Sequence, residues 1–400
     1  MADLPEVERD VSGIGSRIFN GGGSKFKNGD TLFSRITPCL ENGKTAKVGG
    51  LPNNAVGHGS TEFIVMAAKD SSDEDFVYYV ARHPEFRAYA QGRMEGTSGR
   101  QRVSWQAIAD YEIPDFSSLE RNRIGSVLSS IDNLIANNRR VNQVLEAMAR
   151  ALFKAWCVDF EPVRAKLEGR WQRGESLPGL PAHLYDLFPD RLIESELGEI
   201  PEGWQMRSLD SIANYLNGLA LQKFPPESEN EFLPVIKIAQ LRTGNTSGAD
   251  KASKQIKPEY IVVDGDVLFS WSGSLEVEVW NGGRGALNQH LFKVTSEEVP
   301  KWFYFFATRH HLQNFRAIAT GKATTMGHIQ RKHLTDARIA VALPESMEKF
   351  DAVIAPLFNQ MISNAQQSRS LAQLRDTLLP KLISGELRVP DAERITGATL

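Results

Sequence analysis

Two long segments of the chain carry apolar residues in steps of three and four positions, the spacing that places side chains on one face of an α-helix. The first opens with Ser117-x-x-Glu120, a pattern typical of a capped helix start. The second repeats the rhythm at a sequence offset of 226 (350 − 124). The apolar or small positions are Ile124, Leu128, Ile131, Ile135, Leu145, Ala149, Leu152 and Trp156 in the first segment, and Phe350, Ile354, Leu357, Met361, Leu371, Leu378 and Leu382 in the second. Because the pattern continues over several heptads, it predicts a coiled-coil seam.

Polar residues interrupt both seams at matching places. Asn138 and Asn142 occupy seam positions of the first helix, and Asn364 and Ser368 occupy those of the second at the same offset of 226 (364 − 138). Two interpretations are open at this point. The polar side chains are buried and fix the register of the coiled coil, or both helices turn these positions towards solvent.

Shorter hydrophobic patterns precede each long helix and predict two globular modules. Apolar strand-like runs, such as EFIVMAA at residues 62–68, alternate with helical stretches. An internal repeat relates the modules, because NGDTLFSR at residues 28–35 recurs as DGDVLFSW at residues 264–271, an offset of 236 (265 − 29). Each module is predicted to end in a short strand that runs up to a proline, Pro114 in the first and Pro344 in the second.

The predicted fold class is therefore α+β: two globular α/β domains separated by two long antiparallel helices that form a coiled-coil spacer, with a pseudo-twofold internal repeat. Pro356 and Pro380 predict a kink or an early end of the second helix, because proline lacks the backbone N–H. Residues 158–199 are rich in Pro, Gly and charged residues and are expected to be a linker. The expected boundaries are 1–115 for the first domain, 116–157 for the first helix, 158–199 for the linker, 200–343 for the second domain, 344–388 for the second helix and 389–400 for a tail.

Composition and charge narrow the classes of function. The 400 residues are 41% hydrophobic and 24% charged, values that are ordinary for a globular protein. No apolar run approaches the roughly 18 residues of a membrane span, the N-terminus MADLPEVERD is acidic, and Cys39 and Cys157 cannot form a disulfide framework or a Cys-rich zinc site. We therefore expect a cytoplasmic protein without a membrane partner. The net charge of −3 argues against a protein that coats nucleic acid through bulk electrostatics, but it allows a local basic surface.

The motifs of common catalytic and cofactor sites are absent from the sequence. Gly43-Lys44-Thr45 resembles the end of a phosphate-binding P-loop, but the second glycine that such a loop needs, five residues earlier, is replaced by Pro38. The sequence also lacks HExxH, Cys-x-x-Cys, G-x-S-x-G and a dinucleotide-binding fingerprint. We therefore expect no catalytic residue, metal site or cofactor in this chain.

Polar and basic residues on Gly-rich loops recur in both modules and are the candidate DNA-binding residues. They are Lys25, Lys27, Arg35, Lys44, Lys47, Arg93, Ser98, Arg100 and Arg102 in the first module, and Lys223, Arg242, Lys251, Arg284, Lys322, Thr324, Thr325 and His328 in the second. Arg and Lys can contact phosphates or guanine edges, and Thr, Ser and Asn supply further adaptable contacts. For any single residue, an ordinary solvated surface is the alternative. The recurrence of the set in two modules favours binding.

The chain resembles the specificity subunit of type I restriction-modification systems over nearly its whole length. The residues that carry the resemblance are GDTLFSRITPCLENGKTA at 29–46, GDVLFSWSGSL at 265–275, DFEPVRAKLEGR and LFPDRLIESELGEIPEGW within 159–204, and LLPKLISGELRV at 378–389. The resemblance implies that each module is a target recognition domain and that the helices are an antiparallel spacer. A degenerate nuclease or methyltransferase and a protein-interaction scaffold are the competing hypotheses.

The resemblance also implies the ligands and partners. The chain would bind a bipartite double-stranded DNA site, one half with each module, and two methyltransferase subunits would dock on it and methylate adenine with S-adenosylmethionine. A separate restriction subunit would supply translocation and cleavage with ATP and Mg²⁺. This chain would carry recognition without a cofactor of its own.

The first module departs from the expected pattern because it is short. In the second module the separation between the start of IPEGW and the Gly-Asp motif is 65 (265 − 200), whereas the separation between Met1 and Gly29 is 28 (29 − 1). MADL at the start of the chain lines up with IAQL at residues 238–241, an offset of 237 (238 − 1). About 37 residues (65 − 28) of the first module are therefore expected to be missing. Either the natural chain begins upstream of Met1, or the first domain is shortened and impaired.

Overall fold

The structure is a computed structural model that describes residues 4–6, 8–11, 21–52, 55–97, 99–196, 198–321 and 327–397. The chain divides into two compact units, one of residues 1–137 with 370–400 and one of residues 138–369. Both units combine helices with small β-sheets, in agreement with the predicted α+β class.

The helices and strands are numbered in chain order. Up to the first long helix they are β1 (Ser24–Phe26), β2 (Thr31–Ser34), β3 (Thr45–Lys47), β4 (Gly57–Gly59), β5 (Phe63–Met66), α1 (Glu74–Arg82), α2 (Pro84–Gln91), α3 (Trp105–Ala109) and α4 (Ser118–Cys157). The next are α5 (Glu161–Leu167), β6 (Leu192–Ser195), β7 (Gly198–Pro201), β8 (Gln205–Ser208), α6 (Leu209–Ile212), β9 (Asn214–Asn217), β10 (Leu233–Ile236), α7 (Ile238–Thr243), β11 (Lys251–Ala252) and β12 (Ile261–Val262). The last are β13 (Val267–Ser270), β14 (Val277–Val279), β15 (Gly285–Leu287), β16 (Leu291–Thr295), α8 (Lys301–Gly321), α9 (Arg331–Asp336), β17 (Arg338–Val341), α10 (Pro344–Ile383) and α11 (Val389–Gly397).

The core sheet of each module confirms the internal repeat. The repeated motif forms the central strand, since β2 pairs antiparallel with β3 and β5, and β13 pairs antiparallel with β14 and β16. The register matches as well, because Thr31 at the start of β2 opposes Met66 and Val267 at the start of β13 opposes Val294. Every residue of both central strands is buried.

A turn held by an aspartate side chain precedes each central strand. Asp30 Oδ2 accepts a hydrogen bond from the backbone N–H of Lys27 at 2.8 Å, and Asp266 Oδ2 accepts one from the N–H of Val263 at 2.9 Å. The glycine before each aspartate has a φ of 90° in the first module and 86° in the second, a conformation that favours glycine. The recurring Gly-Asp pair therefore defines where the strand begins.

The two modules differ at their C-terminal ends. The strand predicted before Pro344 is confirmed: it is β17, which pairs with β8. The run before Pro114 is irregular over residues 111–117, so the prediction of a strand there is wrong. The physical reason is the lack of a partner, because no strand lies beside this run in the part of the first unit that the structure describes. A lone strand leaves its backbone groups without hydrogen-bond partners.

The described residues of the segment 158–199, which are 158–196 and 198–199, are folded, unlike the linker expected there. They form α5, a 3₁₀ turn over Ala182–Leu187 and the start of the β6–β7 hairpin. Val163, Trp171 and Phe188 are buried in the main core of the second unit. The Pro, Gly and charged residues lie around these buried anchors, and their number conceals the anchors when composition alone is considered.

Both long helices are continuous and 40 residues long. The predicted cap of α4 is confirmed, because the Ser117 N–H donates to Glu120 Oε2 at 2.9 Å and the Glu120 N–H donates to Ser117 Oγ at 3.3 Å. Helix α10 runs through Pro356 and Pro380, so the early end that these prolines predicted is wrong. Pro356 faces solvent, where water can hydrate the carbonyl that lacks its helical donor.

Within the second unit, α4 and α10 run antiparallel and hydrogen bonds join their polar seam residues. Asn142 Nδ2 donates to the Met361 carbonyl and Asn364 Nδ2 donates to Asn142 Oδ1, each at 2.9 Å. Asn138 Nδ2 donates to Gln367 Oε1 at 2.9 Å. Asn138 and Asn364 are buried. Of the two interpretations left open by the sequence, the structure supports the one in which buried polar residues fix the register.

A buried ionic cluster lies in the first unit where α1 meets both long helices. Arg375 Nη1 lies 2.6 Å from Asp132 Oδ1, and the Tyr79 hydroxyl donates to Asp132 Oδ2 at 2.7 Å. Burial, and then the Asp132 charge, raises the pKa of Tyr79 above its ordinary value, so the phenol remains a donor. Arg375 and Asp132 satisfy each other's charges at a site with little access to water.

The internal repeat replaces this cluster with apolar residues in the second unit. The equivalents of Tyr79, Asp132 and Arg375 are Phe306, Phe358 and Ala149, at offsets of 227 (306 − 79) for the first and 226 (358 − 132 and 375 − 149) for the others. All three side chains are buried, and the two phenylalanine rings lie 6.0 Å apart. Equivalent positions of the repeat are therefore occupied by an ion pair in the first unit and by packed aromatic rings in the second.

The Asn142–Asn364 hydrogen bond gives a first prediction. Asn364→Leu should lower the free energy of unfolding by about 1–3 kcal/mol, because it leaves Asn142 Oδ1 unsatisfied in the seam. Asn142→Leu/Asn364→Leu, which removes both partners, should recover most of that loss in urea denaturation. Ser368→Ala is the control, because Ser368 Oγ donates to the Asn364 carbonyl of its own helix at 2.8 Å. A double variant as unstable as the single one would contradict the prediction.

The ionic cluster gives a second prediction. Arg375→Ala should lower the free energy of unfolding by about 3–5 kcal/mol, because it removes the arginine that pairs directly with the buried Asp132 carboxylate. The triple variant Tyr79→Phe/Asp132→Phe/Arg375→Ala copies the residues of the second unit and should be more stable than the single variant. Guanidinium denaturation measures both, and equal stability of the two variants would show that the charge is not the cause.

Candidate nucleic-acid interface

In the first module, the residues after β2 are joined to the segment that leads into α3. The Arg35 N–H donates to the Glu62 carbonyl at 3.1 Å, and the Arg35 carbonyl accepts from the Val103 N–H at 2.9 Å. One residue further on, Ile36 forms a β-bridge with Arg102. This junction, residues 35–37, 62 and 101–103, is termed the first bridge site.

The second module builds the same junction from different residues. The Trp271 N–H donates to the His290 carbonyl at 3.3 Å, and the Trp271 carbonyl accepts from the Ile329 N–H at 3.0 Å. Ser272 forms the β-bridge with His328. Residues 271–273, 290 and 327–329 are termed the second bridge site. Two residues predicted from the sequence, Arg102 and His328, therefore occupy equivalent positions.

The side chains of the first bridge site form a bidentate ion pair. Arg102 Nε lies 2.9 Å from Glu62 Oε2, and Arg102 Nη2 lies 2.8 Å from Glu62 Oε1. The hydrogen bond from Arg102 lowers the pKa of the Glu62 carboxyl below its ordinary value, so Glu62 is ionised at neutral pH. Arg35, from the same candidate set, is half-buried beside this pair.

The second bridge site is built from aromatic and polar side chains. Trp271 Nε1 donates to Asn217 Oδ1 at 2.9 Å and to the Gln289 carbonyl at 3.1 Å. Ser272 Oγ lies 2.9 Å from His290 Nδ1. The Trp271 ring centre lies 5.8 Å from that of His290 and 6.3 Å from that of His328. A half-buried indole with its N–H engaged offers a ring surface for apolar contact.

The remaining candidate residues are distributed over loops, strands and short helices of the two modules. The exposed ones are Lys25, Lys27, Arg93, Arg100, Lys223, Arg242, Lys251, Arg284 and His328, and the half-buried ones are Arg35, Lys44, Lys47 and Arg102. Ser98, Lys322, Thr324 and Thr325 lie outside the described residues.

Two of the candidate lysines are engaged in ion pairs within their own module. Lys47 Nζ lies 2.8 Å from Asp75 Oδ1 and 3.4 Å from Glu74 Oε2. Lys251 Nζ pairs with Glu229. A DNA phosphate would have to compete with these carboxylates for either lysine.

The Gly43-Lys44-Thr45 tripeptide belongs to the hairpin loop between β2 and β3. The N–H groups of Gly43 and Lys44 donate to carbonyl oxygens of the same loop at 2.9 and 3.0 Å. Gly43 has a φ of 74°, and a Cβ atom there would lie 2.5 Å from Arg87 Nη1. Arg82 Nη1 also donates to the Gly43 carbonyl at 3.1 Å. The glycine therefore accommodates arginine side chains, and the loop N–H groups are not directed at a phosphate.

Metal binding and membrane insertion find no structural support in the described residues. Within the described ranges, no three His, Cys, Asp or Glu side chains converge as metal ligands would. Burial raises the pKa of the Cys157 thiol, which keeps it protonated. In the part of the chain that the structure describes, no helix combines the length and apolar character needed to cross a bilayer.

Sequence reasoning missed Glu62, Trp271 and His290. Glu62 is acidic and was not a candidate for DNA contact, although it orients Arg102. Trp271 is the counterpart of Arg35 in the quoted repeat, and that difference was the available signal. His290 could not be matched to Glu62 from the motif alone, because the offset changes from 236 (265 − 29) to 228 (290 − 62) between β2 and β5.

Comparisons with known proteins identify related chains. The family described as "Type I restriction modification DNA specificity domain" matches residues 201–373. The chain is 26% identical over 331 residues to the type I restriction enzyme MjaIX specificity subunit of Methanocaldococcus jannaschii. That alignment covers 81% of this chain and 71% of the relative. The chain is also 25% identical over 415 residues to the HindI specificity subunit of Haemophilus influenzae, covering 90% and 87%. The crystal structure of a type I S subunit from M. genitalium aligns over 90% of this chain and 84% of that one, with 13% identity and a TM-score of 0.48.

Proposed function

The chain belongs to the family of type I restriction-modification specificity subunits, and we propose that it binds a bipartite double-stranded DNA target, with one half-site read by each module. In this proposal the chain supplies sequence recognition and a scaffold for partner subunits. The chemistry of methylation and cleavage is performed by those partners.

The observation that carries the proposal is the duplicated bridge site. Both modules use the same hydrogen-bond pattern to hold a residue beside the end of the central strand. The side chains on that pattern differ, with Arg102 in one module and His328 in the other. A constant backbone with variable side chains is what two domains need if they read different bases, because bases are distinguished by the side chains that reach their edges.

The long helices support the bipartite character of the target. A helix of 40 residues is about 60 Å long at 1.5 Å per residue, and one turn of DNA is about 34 Å. The helices are thus long enough to account for a sequence-indifferent gap between the two half-sites.

The partners and cofactors follow from the family. We propose that two methyltransferase subunits bind this chain and use S-adenosylmethionine, and that a restriction subunit uses ATP and Mg²⁺. This chain would then act in the cytoplasm, where the DNA and the partners meet.

A segment exchange tests the proposal. Residues 205–342 include both β8 and β17, which pair with each other, so replacing this segment with that of another family member keeps the closing strand pair within one segment. Footprinting of the complex with its methyltransferase subunits should show two protected half-sites in the wild type, and the exchange should change the sequence of one of them.

The unchanged half-site is the internal control for folding and assembly of the exchanged protein. A single continuous site in the wild type would refute bipartite binding. A change in both half-sites would refute the assignment of one half-site to each module.

A further inference from the structure

In the Glu62–Arg102 pair, one edge of the guanidinium group binds the carboxylate and a second edge makes no contact with it. Nε and Nη2 of Arg102 bind the carboxylate, whereas Nη1 has a longer contact of 3.4 Å with the Arg100 carbonyl. A guanidinium group carries five N–H donors in one plane. The edge formed by Nη1 and the second N–H of Nη2 therefore points away from Glu62 and can donate two parallel hydrogen bonds.

The Glu62–Arg102 ion pair contributes little to the stability of the fold, so stability does not explain its presence. The side chains of Arg102 and Glu62 are 41% and 24% exposed, and ion pairs with that exposure contribute little to stability. The second module reaches the same backbone arrangement with His328 and His290 at the equivalent positions. The fold of the module therefore does not require an ion pair here.

The pair does restrict the conformations of Arg102. An arginine side chain has many rotamers, and fixing them on binding costs free energy. Glu62 is ionised and itself anchored through its backbone to Arg35, so it holds the guanidinium before any ligand arrives. Side chains held in this way by a supporting residue are typical of selective binding sites.

We propose that Glu62 orients Arg102 to donate two hydrogen bonds to O6 and N7 of a guanine in the half-site read by the first module. The inference rests on the proposed function, because it assumes that this module reads DNA. Guanine is the expected base, since its O6 and N7 acceptors lie side by side in the major groove and match two parallel N–H donors. Glu62 is then a positioning residue, and Arg102 is the residue that determines specificity.

The test uses the full chain in complex with its methyltransferase subunits and a pool of duplexes randomised in the first half-site. The relative affinity for each base is measured at each position. The wild type should prefer guanine at one position by about 5- to 150-fold, the range expected for one bidentate contact. Arg102→Gln should abolish the preference at that position and leave the others unchanged.

Glu62→Gln is the second variant, because it keeps the size of the side chain and removes its charge. It should reduce the preference for guanine at the same position while Arg102 is still present. Arg123→Gln is the matched control, an exposed arginine of the first unit that is not among the candidate DNA-binding residues. It should leave all base preferences unchanged.

Three outcomes would overturn the inference. Arg102→Gln could weaken binding equally for all sequences with a shallower dependence on salt, which is the behaviour of a phosphate contact. It could leave every base preference intact, which would make the pair structural. Glu62→Gln could leave the guanine preference unchanged, which would remove its positioning role. Absence of any half-site preference in the wild type would instead refute the proposed function, so the two failures are distinguishable.

Discussion

A hydrogen bond from a backbone N–H to an aspartate side chain holds the turn at which the central strand of each core sheet begins. Asp30 and Asp266 form it in equivalent turns and so define the first residue of each central strand. Side chains alternate along a strand, and a slip of one residue would turn the apolar positions out of the core. The same slip would move the end of the strand and displace Arg102 and His328 from their bridges. One turn interaction thus links the core to the candidate interface.

The parts of the fold that follow a regular period could be predicted from the sequence. The long helices, the cap at Ser117 and the central strands all leave a repeated pattern of apolar residues or a recognisable motif. The folded segment 158–199 leaves no such pattern, because its buried Trp171 and Phe188 are isolated among turn residues. The run before Pro114 has the composition of a strand, but strand formation also depends on a partner that a local pattern cannot report.

The candidate site was only partly predictable for a similar reason. Arg102 and His328 could be proposed individually, because basic and polar side chains on loops are typical of DNA contacts. Their equivalence depends on backbone hydrogen bonds between distant segments, and the offsets of those segments differ because the intervening loops differ in length. The role of Glu62 depends on side-chain geometry, which residue type and spacing do not determine.

The ionic cluster of the first unit has a consequence for self-association. The internal repeat divides the sequence into two related halves. Asp132 lies in the first half of the sequence and its partner Arg375 lies in the second. If two copies of the first half paired through their helices in the same way, each Asp132 would face the position of Ala149 instead of an arginine. Two buried carboxylates that each lack the directly paired arginine would oppose such a homodimer. The ion pair therefore favours the pairing of the two different halves over the pairing of two identical first halves.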